Sequence, residues 1–279
     1  MHVWLPLAAM ALVAWSLQRL LSKIALKTLT TAKFYLLSAT ISLFVYLPYL
    51  LFHPPAASEL LPALGLACLM AVTFWVTTEA IRRGPLGVVS PVTALSPALT
   101  AALAIGLIGE RPGWLAYAGI AIAPAGVALL SAPGGKTDVE KPGWMALAIA
   151  SLVLQGLGAF VAKLVVTPAG PSALLLMGAG VQVLVGLALA PPWRWTLQEL
   201  SGRPALYTVF AYSIAGIATI GYLSALASGP AAVVVPLVST SPALAGILGV
   251  VLLKERLRRR QLAGLLVALV GAALLAGEG

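Results

Sequence analysis

The chain has very little of what soluble proteins carry on their surfaces and enzymes carry in their active sites. Only 9% of its 279 residues are charged, whereas the share in soluble domains is about 25%. It has two histidines, His2 and His53, without Cys or carboxylate neighbours at ligand spacing, and its single Cys68 excludes a disulfide within the chain. We find no sequence pattern typical of a phosphate-binding loop, a metal cluster or a hydrolytic triad, and therefore expect no catalytic residues, no metal and no cofactor.

Long apolar runs take the place of the missing polar residues. Hydrophobic residues make up 61% of the chain, and the mean hydropathy is +1.02. Runs close to 20 residues recur along the whole length, and a helix of about 20 residues crosses a hydrocarbon core of roughly 30 Å. The net charge of +9 comes from basic residues at the ends of these runs. We therefore expect a lipid bilayer as the main partner, and no nucleic acid.

The runs predict an all-α integral membrane protein with ten transmembrane helices. A polar stretch between the fifth and sixth runs predicts a linker over 133–142, between a first five-helix half, 1–132, and a second, 143–279. The ten predicted helices are 3–22, 34–52, 60–82, 86–108, 114–131, 144–165, 171–190, 205–227, 231–253 and 259–276.

An internal repeat relates the two halves. With a constant offset of 145 and no gaps, 84–130 matches 229–275 at 20 of 47 positions. The shared positions include a Gly-Pro step, a Ser-Pro-Ala-Leu segment and a terminal Glu-Arg pair. Since each half has an odd number of helices, two such halves in one membrane must have opposite orientations, as in many secondary transporters.

The basic residues test this topology independently. On the face that carries both termini, the predicted loops and helix ends have only Arg111 and Lys163. The positive-inside rule therefore favours a cytoplasmic location for the other face, with both termini outside. That other face carries Arg19, Lys23, Lys27, Lys33, Arg82, Arg83, Lys136, Lys141, Arg194, Arg203, Lys254, Arg256, Arg258, Arg259 and Arg260.

The order of these motifs resembles a known family over essentially the whole chain. A Gly-Pro step, a helix with Pro and Ser-Pro-Ala-Leu in its first half, a terminal Glu-Arg and a Gly-rich helix are similar to the repeat unit of EamA-type transporters in the drug/metabolite transporter superfamily. The first helix of each half in that family often has a Trp followed by a Lys. Here Trp15 precedes Lys23, whereas Lys163 follows Gln155 without a Trp.

The resemblance implies ten helices in two inverted halves around a central cavity, and the export or exchange of small metabolites such as amino acids. Members of the family commonly have both termini in the cytoplasm, opposite to the orientation that the charge count favours. The orientation is therefore open, and the expected location is the inner, or cytoplasmic, membrane.

Glu79 is the only carboxylate inside an apolar run. A desolvated carboxylate can take up and release a proton, so one hypothesis gives Glu79 a role in substrate contact or proton coupling. The alternative is structural, because Arg82 and Arg83 follow at i+3 and i+4, where an ion pair forms along a helix.

Hydroxyl groups and prolines mark the fourth and ninth predicted helices. The hydroxyls would line the cavity or bond to backbone carbonyls, and the prolines would kink helices that face the centre. The candidate hydroxyl residues for substrate binding are Ser90, Thr93, Ser96, Ser239 and Thr240, and the candidate kink residues are Pro91, Pro97, Pro236 and Pro242.

Bulky or polar residues in the middle of other runs complete the candidate substrate site, with packing as the alternative role for each. Lys23 and Lys163 occupy similar places in the two halves, so they would snorkel to the headgroups or gate opposite mouths. The mid-run candidates are Trp15, Gln18, Trp75, Gln155, Tyr212 and Tyr222.

Together these features predict a secondary transporter that moves a small-molecule substrate by alternating access, driven by protons or a counter-solute, as a monomer or weak dimer. Two other classes remain open. A channel or a flippase for lipid-linked substrates would fit the same scaffold. A membrane-embedded transferase would need a cluster of His, Asp or Glu at one face, and within the runs only Glu79 is available.

Overall fold

The computed structural model describes residues 3–25, 31–83, 86–131, 143–189, 203–253 and 258–277, which form twelve α-helices and no strand. The predicted linker 133–142 lies outside these ranges, as do Gly84, Pro85 and Glu255. The helices are α1 Trp4–Ala25, α2 Thr31–Phe52, α3 Ala57–Arg83, α4 Leu86–Thr93, α5 Ser96–Leu107, α6 Trp114–Ser131, α7 Trp144–Ala169, α8 Ser172–Leu189, α9 Arg203–Ser228, α10 Ala231–Ser239, α11 Ser241–Leu253 and α12 Arg259–Ala276.

Eight apolar segments in the described part of the chain are long enough to cross a membrane. They lie in α2, α3, α6, α7, α8 and α9, in α10 together with α11, and in α12. Of the three remaining helices, α5 is apolar but shorter, and in α1 and α4 some side chains lie outside the description. Large apolar side chains such as Phe52 and Trp114 cover the outside of the bundle, whereas alanines supply much of its buried interior. The chain is a multi-pass membrane protein.

Two of the predicted helices are each divided into two by a break at equivalent positions. The first break lies at Leu95, between α4 and α5, and the second lies 145 residues later at Thr240, between α10 and α11. Pro97 and Pro242 follow the breaks in the first turns of α5 and α11, where a missing N–H leaves no helical bond unmade. At the second break the Thr240 amide and hydroxyl both donate to the Leu237 carbonyl, at 3.2 and 2.7 Å.

The prolines before the breaks lie inside helices. Pro236 lies within α10 and is fully buried. Pro91 lies in α4, and its side chain is outside the described residues. The sequence therefore placed the four prolines around the two kinks, but it predicted continuous helices over 86–108 and 231–253. The reason is that the hydropathy does not change across either break.

The two Gly-rich helices, α6 and α12, touch along their backbones. A Cβ added to Gly126 would lie 2.2 Å from the amide nitrogen of Ala268, and one added to Gly264 would lie 2.3 Å from that of Leu130. Gly271 faces Ala123 in the same way. As residue numbers rise along α6 their contacts fall along α12, so these repeat-equivalent helices run antiparallel, and their glycines pack within one chain.

The two halves are interleaved. α1 of the first half packs on α9 of the second, α3 packs on α7, and α2 packs on α8. Glycines permit two of these approaches, since Gly221 in α9 lies against Leu7 and Met10 of α1, and Gly158 in α7 lies against Met70 of α3. The centre of the molecule is therefore the place where the halves meet.

Candidate substrate cavity and its closed end

A cavity of ≈ 460 Å³ lies where the halves meet, within the usual size range of small-molecule sites. Its wall is formed by α1, α2, α3, α5, α7, α8 and α9. None of the described residues in the wall is acidic or basic. The aromatic lining residues are Trp15, Tyr35, Tyr46, Phe74 and Tyr222, and the polar ones are Ser96, Gln155, Gln182 and Thr219.

Four of the aromatic rings form two pairs. Trp15 and Tyr222 have ring centroids 5.2 Å apart with the planes tilted by 44°, and Tyr35 stacks on Phe74 at 4.8 Å. Each pair joins different helices, α1 with α9 and α2 with α3. Aromatic pairs at these separations attract beyond their buried area, so the rings hold one another in place along the wall.

A chain of hydroxyl groups holds the side chain of Gln155 between α3 and α7. The Thr77 hydroxyl donates to the Thr73 carbonyl at 2.7 Å, and it lies 2.5 Å from the Ser151 hydroxyl. The Gln155 amide nitrogen donates to the Ser151 oxygen at 2.8 Å. Gln155 lies in the cavity wall. Its NH₂ group is directed away from the cavity, towards the hydroxyls of Ser151 and Thr77.

Glu110 and Lys163 secure a break in the backbone at the end of the bundle near the chain termini. The Glu110 carboxylate accepts hydrogen bonds from the first two amides of α10, Ala231 and Ala232, each at 2.8 Å. The Lys163 ammonium donates to the carbonyls of Leu226 and Gly229, at 2.8 and 2.7 Å. We call these four bonds the α9–α10 clamp.

The clamp satisfies groups that a helix end leaves without partners. A carboxylate suits the positive end of α10, and an ammonium suits the negative end of α9. Glu110 belongs to the first half, whereas α10 belongs to the second, so the clamp ties the halves together across 121 residues of chain. The opposite charges of Glu110 and Lys163 also attract each other.

Close packing surrounds the clamp. Trp4 is only 4% exposed, and a Cβ on Gly229 would lie 2.5 Å from the Trp4 ring. Val166, Leu226 and Val233 are fully buried beside it. Buried apolar side chains thus fill the space around the clamp, at the end of the bundle that carries Trp4 and Gly229.

Four of the predicted substrate-binding residues line the cavity: Trp15, Ser96, Gln155 and Tyr222. Trp75 is 57% exposed on the outside of the bundle and is not in the wall. Gln18 and Tyr212 are not in the wall, and the Tyr212 hydroxyl bonds to Ser38 and Gln18.

Glu79 forms an ion pair with Arg83 one turn later in α3, which is the contact that its structural alternative requires. It is not among the residues in the cavity wall. Lys163 lies in the clamp. The side chain of Lys23, its predicted counterpart at the opposite mouth, is outside the described residues.

The other candidate hydroxyls lie next to the helix breaks. The Thr93 hydroxyl donates to the Val89 and Ser90 carbonyls, both at 3.1 Å, and the Ser239 hydroxyl donates to the Pro236 carbonyl at 2.6 Å. Thr240 bonds to Leu237 as described above. Ser96, after the break at Leu95, is in the cavity wall, whereas Ser90 and Thr93, before it, are not.

Sequence reasoning missed part of the wall and half of the clamp. It did not select Tyr35, Tyr46, Phe74, Gln182 and Thr219, which line the cavity. The available signal was the same as for Trp15, a polar or aromatic residue within an apolar run. Glu110 was taken only as a helix end, although its recurrence as Glu255 in the repeat marked it.

Comparison with known proteins places this fold and cavity in context. The model of the EamA-like transporter family matches residues 2–132 and 142–277. A protein from Streptantibioticus cattleyicolor, described as a "Probable terminal-alkyne amino-acid exporter", is 32% identical over 145 residues, which are 52% of this chain and 44% of that protein. A crystal structure of another protein superposes with a TM-score of 0.78 over 97% of this chain and 95% of the other, at 19% identity.

Proposed function

Because this chain belongs to the EamA-like transporter family, we propose that it is a secondary active transporter of small organic metabolites such as amino acids. It is a membrane transporter and not an enzyme, and the family predicted from its repeat is confirmed. The direction we propose is export or exchange, in keeping with the name of the Streptantibioticus relative. The matched segment spans less than half the length of that relative.

The observation that carries this proposal is an uncharged cavity enclosed by helices from both halves. The antiparallel contact of α6 with α12 supports an inverted arrangement, since these helices are equivalent in the repeat. We propose ten crossings in all, with α1, and α4 together with α5, as the two beyond the eight apolar segments.

In alternating access each mouth of such a cavity must close in turn. We propose that the α9–α10 clamp is the closed gate on the side of the termini. Opening that side separates Glu110 from α10 and exposes Lys163, and the two charges then gain water in place of backbone partners. Protons or a counter-solute would supply the driving force, and a monomer or weak dimer would suffice because the cavity lies within one chain.

The protein would reside in the cytoplasmic membrane, and the charge distribution favours both termini outside. Cysteines placed at Arg111 and Arg256 test the arrangement by labelling with an impermeant maleimide in intact cells. An inverted arrangement makes the two positions reactive from opposite sides of the membrane. Labelling of both from the same side would contradict it.

Counterflow in proteoliposomes tests the transport function. Proteoliposomes that contain the protein and are preloaded with an unlabelled amino acid should take up the same radiolabelled amino acid faster than empty ones. The reason is that a carrier returns across the membrane faster when it is loaded. A channel passes solute without this acceleration, and a flippase instead moves a labelled lipid between leaflets. Absence of acceleration with every candidate solute would reject the carrier.

A further inference from the structure

We propose that the cavity recognises a primary ammonium group on an apolar body, with the side-chain oxygen of Gln155 and the paired aromatic rings as the recognition elements. The proposal rests on the proposed transport function and goes beyond it by assigning the chemistry of the substrate head group. It starts from the hydrogen bonds around Gln155.

The structure gives the orientation of the Gln155 amide through its hydrogen bonds. The NH₂ group donates to the Ser151 oxygen at 2.8 Å and to the Thr77 oxygen at 3.4 Å. In this arrangement the Thr77 hydroxyl donates to the Thr73 carbonyl at 2.7 Å, and its contact with the Ser151 hydroxyl makes Ser151 the donor of that pair. The NH₂ group of Gln155 therefore faces the protein.

The carbonyl oxygen of Gln155 is consequently left for the cavity. No described protein group donates to it, although the side chain is in the cavity wall. In the described part of the chain, no buried side-chain nitrogen or oxygen lacks a hydrogen-bond partner. This oxygen must therefore be accessible from the cavity, where it can only accept a hydrogen bond.

The aromatic part of the wall is electron-rich as well. The faces of Trp15 and Tyr222, and of Tyr35 and Phe74, carry the negative side of the ring quadrupole, which attracts ammonium groups. The Gln155 oxygen and these π faces therefore offer partners to a cation, beside the neutral polar side chains of the wall.

An anionic head group finds no matching cation. None of the wall residues that the structure describes is Lys or Arg, and Lys163, one position after the lining residue Ala162, directs its ammonium to two backbone carbonyls. Moving an unpaired carboxylate or phosphate from water into such a site is unfavourable. An amino acid is intermediate, since its ammonium is recognised and its carboxylate is not.

Three probes with the same ring separate these head groups. Binding of 2-phenylethylamine, phenylalanine and 3-phenylpropionate to the full-length protein in nanodiscs is measured calorimetrically at pH 7. We expect the amine to bind at least about 10-fold more tightly than the acid, with phenylalanine between them. Equal or tighter binding of the acid would overturn the proposal.

Variants of Gln155 test the assigned atom. Gln155→Met has similar length without the acceptor, and it should weaken amine binding about 10-fold while leaving the neutral methyl 3-phenylpropionate unaffected. Gln155→Glu keeps acceptor oxygens and should retain or strengthen amine binding. The matched control is Gln261→Met at the start of α12, which should change neither. If Gln155→Met weakens the amine and the ester equally, the oxygen has no role in recognition.

Counterflow with the same probes separates this inference from the proposed function. Acceleration by the amine or by phenylalanine, and none by the acid, supports both. Acceleration by the acid alone keeps the carrier and rejects ammonium recognition. No acceleration by these probes or by any other solute rejects the carrier itself.

Discussion

The seam between α6 and α12 and the central cavity are built on opposite principles. In the seam, glycines allow two backbones to touch, and even one added carbon at Gly126 would meet the Ala268 amide at 2.2 Å. In the cavity, large aromatic and amide side chains from different helices face a common space. The seam joins repeat-equivalent helices, whereas the cavity wall takes different residues from the two halves.

This contrast separates a rigid part of the molecule from a part that can change. A contact between backbones has a single geometry, because no rotamer can compensate for a shift. A wall of side chains can adjust by rotation when helices tilt. We infer that the halves pivot on the α6–α12 seam while the cavity and the clamp rearrange, and the following four predictions test this division, from the largest effect to the smallest.

A larger residue in the seam should have the greatest effect. Gly126→Val places a branched side chain against the backbone of α12, so the helices must separate. We expect the free energy of unfolding to fall by about 3 kcal/mol or more, the upper range for overpacking. The monodisperse peak in fluorescence-detected gel filtration should disappear as a result. Gly106→Val is the control, because nothing lies within 4 Å of its added Cβ. Equal losses would show that the seam is no more tightly packed than the surface.

Removing the clamp should affect function more than folding. Glu110→Gln keeps the shape of the side chain but removes its charge, which weakens the two hydrogen bonds to α10. We expect the proposed closed conformation to lose about 1–3 kcal/mol of stability relative to the open one. The measurement is labelling of a cysteine at Ala162 in the cavity wall from the side of the termini, which should rise about 10-fold. Arg111→Gln, the exposed neighbour, is the control. If Lys163→Met adds its full effect to Glu110→Gln, the two residues do not act as one clamp.

Two tryptophans test which residues belong to the cavity wall. Trp15 is in the wall, whereas Trp75 is 57% exposed outside it. Trp15→Leu should weaken binding of an aromatic amine about 10-fold through loss of ring contacts, while Trp75→Leu should leave it within about 2-fold. Comparable weakening by both would restore Trp75 to the substrate site that the sequence predicted.

The smallest effect on folding is expected for Glu79→Gln. The residue pairs with Arg83 along one helix, and such pairs contribute about 0.3–0.5 kcal/mol. Its hypothesised role in coupling is a separate question, which the pH dependence of counterflow answers. Loss of that dependence in a normally inserted variant would support coupling. Full retention would reject a role of Glu79 in coupling.

Particular residues show how far the sequence could predict this site. Trp15, Ser96, Gln155 and Tyr222 were identified because polar and aromatic residues within apolar runs are uncommon, and all four line the cavity. The same criterion selected Trp75, which lies outside. It could not separate them, because in a bilayer the surface that faces lipid and the surface that faces protein are both apolar, so periodicity does not indicate which way a helix is turned.

The clamp could not be predicted for a different reason. Glu110 bonds amides 121 residues away, and a backbone amide has no residue type that marks it as a partner. The repeat did indicate that Glu110 and the Gly-Pro step recur together. Only the fold shows that the glutamate of one half reaches the helix start of the other.

The sequence by itself determined the membrane environment, the two related halves, the Gly-rich helix of the repeat and the prolines around the two breaks. These follow from hydropathy and from local backbone chemistry, which each segment carries wherever it lies. The tertiary structure alone decided which side chains share the cavity, how Gln155 is turned, and that Glu110 and Lys163 bond to the backbone where α9 meets α10. Those properties depend on how distant helices are rotated and brought together, which a nearly uniform apolar pattern does not encode.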